Sequence, residues 1–299
     1  MAKRVIRFGS RKSELAVRQT HLVMDAVARA HPELDIELVT METSGDRNMK
    51  PFSEASDKFG IKGLFTLEIE EALRSGAIDV AVHSLKDMPT AVSPDLPLVA
   101  CPLRGDPRDV LVLPERGRGA WENGPVGCSS ARRRLQLAGL FPGVVTAPVR
   151  GNVNTRLRKL DAGDFSALVL AAAGLARLGL ERRIARYFEI NELVPAPGQG
   201  ILVCQGRAGE DYSYLDSVRD RNTELCGETE RAFSAELGGG CTAPVGAFAE
   251  IKNDSITITG FCADESGDHL RRGSVCGKTA DNVKLAVDLA RQLAGRNKE

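Results

Sequence analysis

Ala77-Ile78-Asp79-Val80-Ala81-Val82-His83-Ser84-Leu85-Lys86-Asp87-Met88-Pro89 changes character halfway along. Its first half is a short apolar run with β-branched residues, the pattern of a buried strand in a parallel sheet. Its second half brings His83, Ser84, Lys86 and Asp87 close together and stops at Pro89. Ligands of open α/β sheets bind beyond the carboxyl ends of the strands. Ser84, Lys86 and Asp87 therefore fall where chemistry is usually done. A strand running into a loop with an ordinary surface Lys–Asp pair fits the same residues, and the surrounding chain has to separate the two.

Upstream, residues 5–9 read as a strand, and Ser10-Arg11-Lys12-Ser13 as a turn into a helix. That helix carries Leu15, Gln19, Leu22, Val23, Ala26, Val27 and Ala30 as an apolar stripe. Ser10 or Ser13 can cap it, which places Arg11 and Ser13 at a helix N-terminus suited to an anion. A plain cap explains Ser13 equally well. Residues 34–40 alternate like a second strand. The polar stretch 43–60 has no clear period, as expected of a lid or mobile loop. A helix is expected from Lys62 through Leu73, and a further strand at 98–101. Strands alternate with helices, so the class is α/β with mostly parallel pairing.

Downstream the pattern repeats. Strand 109–113 is followed by a turn-rich connection holding Trp121. Three times thereafter an apolar run ends, a Ser or Gly/Asn turn follows, and arginines stand at or near the next helix. They are Val126-Gly127-Cys128-Ser129-Ser130-Ala131-Arg132-Arg133, Val149-Arg150-Gly151-Asn152 leading to Arg156, and Leu168-Val169-Leu170 leading to Arg177. Arginine is not the charge that a helix start prefers, because that end of the dipole is already positive. Guanidinium forks and free N–H groups on one sheet edge suit a carboxylate or phosphate, so a polyanionic ligand is implied. Solvated helix faces are the expectation for Arg158, Lys159, Arg182 and Arg183.

The 299 residues are 42% hydrophobic, enough for two or three cores. Forty basic residues balance forty acidic ones, so no global field recruits nucleic acid or a membrane. No apolar run approaches a transmembrane length. The strand pattern begins so early that no signal or transit peptide is expected. Seven widely spaced cysteines without a C-x-x-C pair point to reduced thiols in the cytoplasm and argue against a metal site.

After Val194-Pro195-Ala196-Pro197-Gly198-Gln199-Gly200, a hinge candidate, residues 201–204 read as a strand. A small α+β unit follows: an amphipathic helix at 229–237, a meander of strands at 245–251, 255–262 and 271–276, and a closing helix at 280–293. Cys241 stands apart, after three glycines and before Pro244. Such a backbone accepts close approach, and an exposed thiolate there could attach a group covalently. A helix C-cap with a passive thiol is the alternative.

Taken in order, these residues resemble the porphobilinogen deaminase (hydroxymethylbilane synthase) family over nearly the whole chain. The motifs are Arg11-Lys12-Ser13, His83-Ser84-Leu85-Lys86-Asp87-Met88-Pro89, Ser129-Ser130-Ala131-Arg132-Arg133, Arg150-Gly151-Asn152-Val153-Asn154-Thr155-Arg156, Gly198-Gln199-Gly200 and Gly239-Gly240-Cys241. The resemblance implies two periplasmic-binding-protein-like α/β domains with the chain crossing between them, plus a small C-terminal α+β domain. The expected boundaries are 1–102 with 198–219, 103–197, and 220–299. It also implies a transferase that links four porphobilinogen molecules head to tail into hydroxymethylbilane, releasing ammonia. A dipyrromethane cofactor would be held by a thioether to Cys241.

By the match, Lys86, Ser129, Arg132, Arg133 and Arg156 would bind the cofactor, and Arg11, Ser13, Ser84, Arg150 and Arg177 the substrate. Asp87 would be catalytic, its carboxylate facing pyrrole N–H groups where positive charge develops. The stretch 43–60 would be the lid, with Lys62 at its inner end. A cytoplasmic monomer without nucleic-acid, membrane or metal partners is implied. Three positions depart from the family's pattern: Cys128 where Thr is common, Leu67 where Lys is frequent, and Gln205 where a strand often ends in Glu. Cys128 is expected to be an oxidation-sensitive neighbour of the site.

Overall fold

The computed structural model describes residues 3–43, 66–115, 120–238, 244–264, 267 and 269–295. Of the expected lid only Thr43 is among them; the rest of the lid, Lys62 and Cys241 lie outside the described residues. The chain divides into two compact units, Met1–Arg104 with Ile201–Glu224, and Gly105–Gly200 with Leu225–Glu299.

In the first unit, β1 (Val5–Arg11) leads into α1 (Glu14–Ala30), and β2 (Asp35–Met41) pairs parallel to β1. Helix α2 (Leu67–Arg74), β3 (Val80–Ser84) and β4 (Leu98–Ala100) follow, and β10 (Leu202–Gln205) returns antiparallel between β3 and β4. The sheet order is β2-β1-β3-β10-β4. One face buries Ile6, Phe8, Val80 and Val82 against Val23 and Val27 of α1. The other buries Ile78 and Ala81 against Ile69 and Leu73 of α2. Apolar side chains leave both faces of β3, which is why it reads as a continuous hydrophobic run. Leu22, counted in the apolar stripe of α1, is 52% exposed and lies outside that core.

The second unit repeats the plan. Strands β5 (Asp109–Val112), β6 (Val126–Gly127), β7 (Thr146–Ala147), β8 (Ala167–Ala171) and β9 (Ile184–Tyr187) order as β7-β6-β8-β5-β9, with β5 reversed. Helices α3 (Ala131–Leu140), α4 (Val153–Asp161) and α5 (Ala172–Arg177) follow β6, β7 and β8. Both sheets thus place one antiparallel strand among parallel ones, a mixed α/β fold. Gly200 needs its glycine: φ is +88°, and a Cβ there would meet Gly105 O at 2.5 Å.

The same unit holds the C-terminal meander β11 (Val245–Lys252), β12 (Ser255–Cys262) and β13 (Arg271–Lys278), with α7 (Asn282–Ala294) and most of α6 (Arg221–Glu236). Phe233, Ala247, Ile258, Ala286 and Leu289 form its core. Glu230 of α6 is fully buried, and its carboxylate accepts the Gly198 N–H at 2.6 Å and the Ala249 N–H at 2.8 Å. Helix α6 therefore anchors both the Pro/Gly stretch and the first strand of the meander. It begins earlier than the amphipathic pattern indicates, because the Asp220 carboxylate accepts the Thr223 N–H at 2.7 Å and starts a polar first turn.

Candidate active site

Each sheet gathers polar residues at the carboxyl ends of its parallel strands. In the first unit β1 ends at Arg11 and its neighbour β3 at Ser84. Ser13 is the cap of α1, its hydroxyl accepting the Ala16 N–H at 3.4 Å. The Ser84 hydroxyl accepts from Gln19 Nε2 at 3.0 Å, and Gln19 is buried on α1, so the end of β3 is tied to the first helix.

A 3-10 turn follows at Leu85–Asp87. Its first N–H, on Leu85, donates to Ile201 O at 3.0 Å. Leu85 and Met88 are buried while Lys86 is half-buried and Asp87 exposed. Two apolar anchors thus hold a turn that presents a carboxylate to solvent.

His83 stands one residue before the end of β3. It is buried, and burial pushes its pKa down to about 4. Nearby Arg11 adds to that downshift, while Gln205 and Asp87 oppose it. His83 Nε2 and Gln205 Oε1 are both buried without a hydrogen-bond partner among the described residues. The imidazole is therefore neutral at physiological pH.

In the second unit Ser129 follows β6. Its hydroxyl donates to Val149 O at 2.8 Å and accepts the Val149 N–H at 2.9 Å, which fixes the segment leading to Arg150. Arg156 Nε donates to Gly151 O at 2.8 Å, and Asn152 caps α4 by accepting the Thr155 N–H at 2.9 Å. Arg177 Nη2 donates to Gly200 O at 2.6 Å. Burial draws the Arg177 pKa down to about 10, which leaves it cationic at neutral pH.

Arg132 and Arg133 are not on an open edge. Arg132 Nη1 bonds Asp109 Oδ2 and Val194 O, both at 2.7 Å. Arg133 bonds Asp109 Oδ1 through Nε at 3.0 Å and Nη2 at 2.7 Å, and Val169 O through Nη1 at 3.0 Å. Gln199 Nε2 adds a bond to Asp109 Oδ1 at 2.9 Å. Asp109 is fully buried; burial alone would raise its pKa, but the two guanidiniums hold it well below the usual carboxylate range. In sequence Asp109 marks only the start of a strand. Its partners lie 23 and 24 residues away, so no local signal marks it.

Two expectations are corrected. Arg183 is not on a solvated face: its side chain is 11% exposed and pairs with Asp161 at 2.7 Å. Cys128 is 1% exposed and burial pushes its thiol up, so it is not an accessible, oxidation-sensitive neighbour. The six described cysteines are free thiols.

The architecture defines an α/β protein in which each sheet carries polar and cationic residues at or just after the carboxyl ends of its parallel strands, the first followed by an exposed carboxylate on a fixed turn. Residues 6–214 match "Porphobilinogen deaminase, dipyromethane cofactor binding domain", and residues 224–295 match "Porphobilinogen deaminase, C-terminal domain". The porphobilinogen deaminase of Ruminiclostridium josui is 46% identical over 289 residues, covering 96% of this chain and 97% of that protein. That of Acetivibrio thermocellus is 48% identical over 288 residues, with 96% and 97% coverage. Among solved structures, the BenM effector binding domain with its effector benzoate aligns with a TM-score of 0.43 at 16% identity, covering 80% of this chain and 96% of that one. The chain belongs to the porphobilinogen deaminase family.

Proposed function

We propose that the chain polymerises four porphobilinogen molecules head to tail into hydroxymethylbilane in tetrapyrrole biosynthesis, with Asp87 as its catalytic group. Family membership supports the reaction. The assignment of Asp87 is carried by its exposed carboxylate on a turn pinned by buried Leu85 and Met88. A fixed carboxylate beside pyrrole N–H groups stabilises positive charge developing on the ring, and needs no reorganisation when that charge appears. The same group can pass a proton to the departing amine.

The donor set suits dipyrromethane, whose acetate and propionate arms are carboxylates. When bound, that cofactor supplies the pyrrole end to which units are added. In this proposal Cys241 anchors it through a thioether. Lys86, Ser129, Arg132, Arg133 and Arg156 bind it, and Arg11, Ser13, Ser84, Arg150 and Arg177 bind incoming substrate. A guanidinium has five N–H donors, so Arg132 and Arg133 retain donors beyond those spent on the protein. The proposed division is 1–102 with 198–219, 103–197, and 220–299, the last presenting Cys241. The proposed form is a cytoplasmic monomer, and the free described thiols fit a reducing compartment.

Intact mass of the purified chain tests the assignment. The parent should carry a covalent dipyrromethane adduct, Cys241→Ala should lack it, and Cys226→Ala should retain it. An adduct that persists in Cys241→Ala contradicts the attachment site. A parent that gains none after incubation with porphobilinogen contradicts the function.

A further inference from the structure

Asp109, Arg132, Arg133 and Gln199 form one buried polar cluster in the second unit. The side chains of Asp109, Arg132 and Arg133 are 0, 4 and 11% exposed. Four bonds of 2.7–3.0 Å from three different side chains converge on one carboxylate. Oδ2 takes Arg132, and Oδ1 takes Arg133 twice and Gln199 once. Two guanidiniums on adjacent residues would otherwise repel each other in a low-dielectric setting. The carboxylate between them removes that repulsion and fixes both planes, because a planar fork has few ways to meet a carboxylate.

The cluster also has fixed outer ends. Gln199 Nε2 bonds Pro107 O at 2.7 Å, which ties the cluster to the segment entering β5. Gln136, one turn after Arg132 on α3, donates to Arg132 O at 3.2 Å and to Val194 O at 3.1 Å. Its Oε1 accepts from Val194 N at 2.8 Å and from Arg272 of β13 at 2.8 Å. Arg132 cannot shift without breaking bonds to Asp109 of β5 and to Val194 O, nor Arg133 without breaking bonds to Asp109 and to Val169 O of β8. Two cations share one anion here, which leaves the buried cluster with a net positive charge.

We propose that Asp109 is a positioning residue for the arginine edge, acting through Arg132 and Arg133 on the carboxylates of the bound pyrrole chain. The proposal rests on the assignment of those arginines given above. A structural ion pair needs only a negative charge between the guanidiniums. A positioning residue needs that charge at one place, so displacement by a single methylene should already be felt.

The test compares the parent with Asp109→Glu, which keeps the charge and lengthens the arm, and Gln199→Met, which keeps all three charges and removes one bond to the carboxylate. Circular dichroism and thermal unfolding set conditions under which each is as folded as the parent. The chains, freed of cofactor, are then incubated with porphobilinogen, and adduct formation is followed by intact mass. The rate should fall at least tenfold in Asp109→Glu and about threefold in Gln199→Met. In variants that do load, KM for porphobilinogen should rise more than kcat falls. If Asp109→Glu does not fold, Gln199→Met decides through the same two readouts. Adduct formation within twofold of the parent in the folded variants, or losses that only follow the folded fraction, would overturn the proposal. A parent that never acquires the adduct overturns it together with the functional assignment, and so tells the two failures apart.

Discussion

Burying His83 four residues ahead of Asp87 removes a positive charge that an exposed imidazole would carry in mild acid. The folded pKa of about 4 lies below the ordinary value of 6.5, so the unfolded chain binds the extra proton first. This group's contribution is therefore complete above pH 6.5 and is lost as pH falls toward 4. At pH 5 the loss should be roughly 2 kcal/mol. His83→Gln, compared with the parent by urea unfolding at pH 7 and pH 5, should lack that part of the acid slope. An unchanged slope would mean the imidazole is not the group that titrates. The polar half of the His83–Pro89 stretch was legible at the residue scale, because Ser, Lys and Asp after a buried strand are conspicuous. The burial of His83 was not, since it depends on the neighbouring strand that carries Gln205.

At the scale of elements, Glu230 shows how one side chain joins segments. Its buried carboxylate takes N–H groups from Gly198 and from Ala249, 32 and 19 residues away. Glu230→Ala would strand both donors, and should cost about 3 kcal/mol by urea unfolding. Glu230→Gln, which keeps one acceptor oxygen, should cost less than half of that. Equal losses in the two variants would point to packing in place of hydrogen bonding. Helix α1 and strand β12 were legible from their hydrophobic period, and β3 from its continuous apolar run. Strands β6 and β7 are two residues each and read as longer, since apolar residues flank them without joining the ladder. The polar start of α6 and the exposed strand β9 carry little hydrophobic pattern, and were not anticipated.

For the whole molecule, the repeated sheet plan explains why cations recur at strand ends in a chain of zero net charge. The recurrence was visible in sequence; the buried partner of Arg132 and Arg133 was not. Nor was it visible that residues 225–299 share a compact unit with 105–200, because contacts such as Arg272 to Gln136 join residues 136 apart. Arg150→Leu should slow cofactor assembly or elongation at least tenfold, since a charged ligand group loses its partner. Arg182→Leu, at an exposed position, should not. Equal losses at both, measured as hydroxymethylbilane formed per adduct-bearing chain, would indicate general destabilisation.

The catalytic assignment is tested most directly by single-turnover ammonia release from porphobilinogen, using chains already carrying the cofactor. Asp87→Asn keeps size and an acceptor oxygen but loses the charge; Asp87→Glu keeps the charge and displaces it. Electrostatic stabilisation of a cationic ring predicts a loss of about a thousandfold in Asp87→Asn. Asp87→Glu should retain more activity than Asp87→Asn. An Asp87→Asn rate equal to the parent's, or above that of Asp87→Glu, would contradict the role given to the carboxylate.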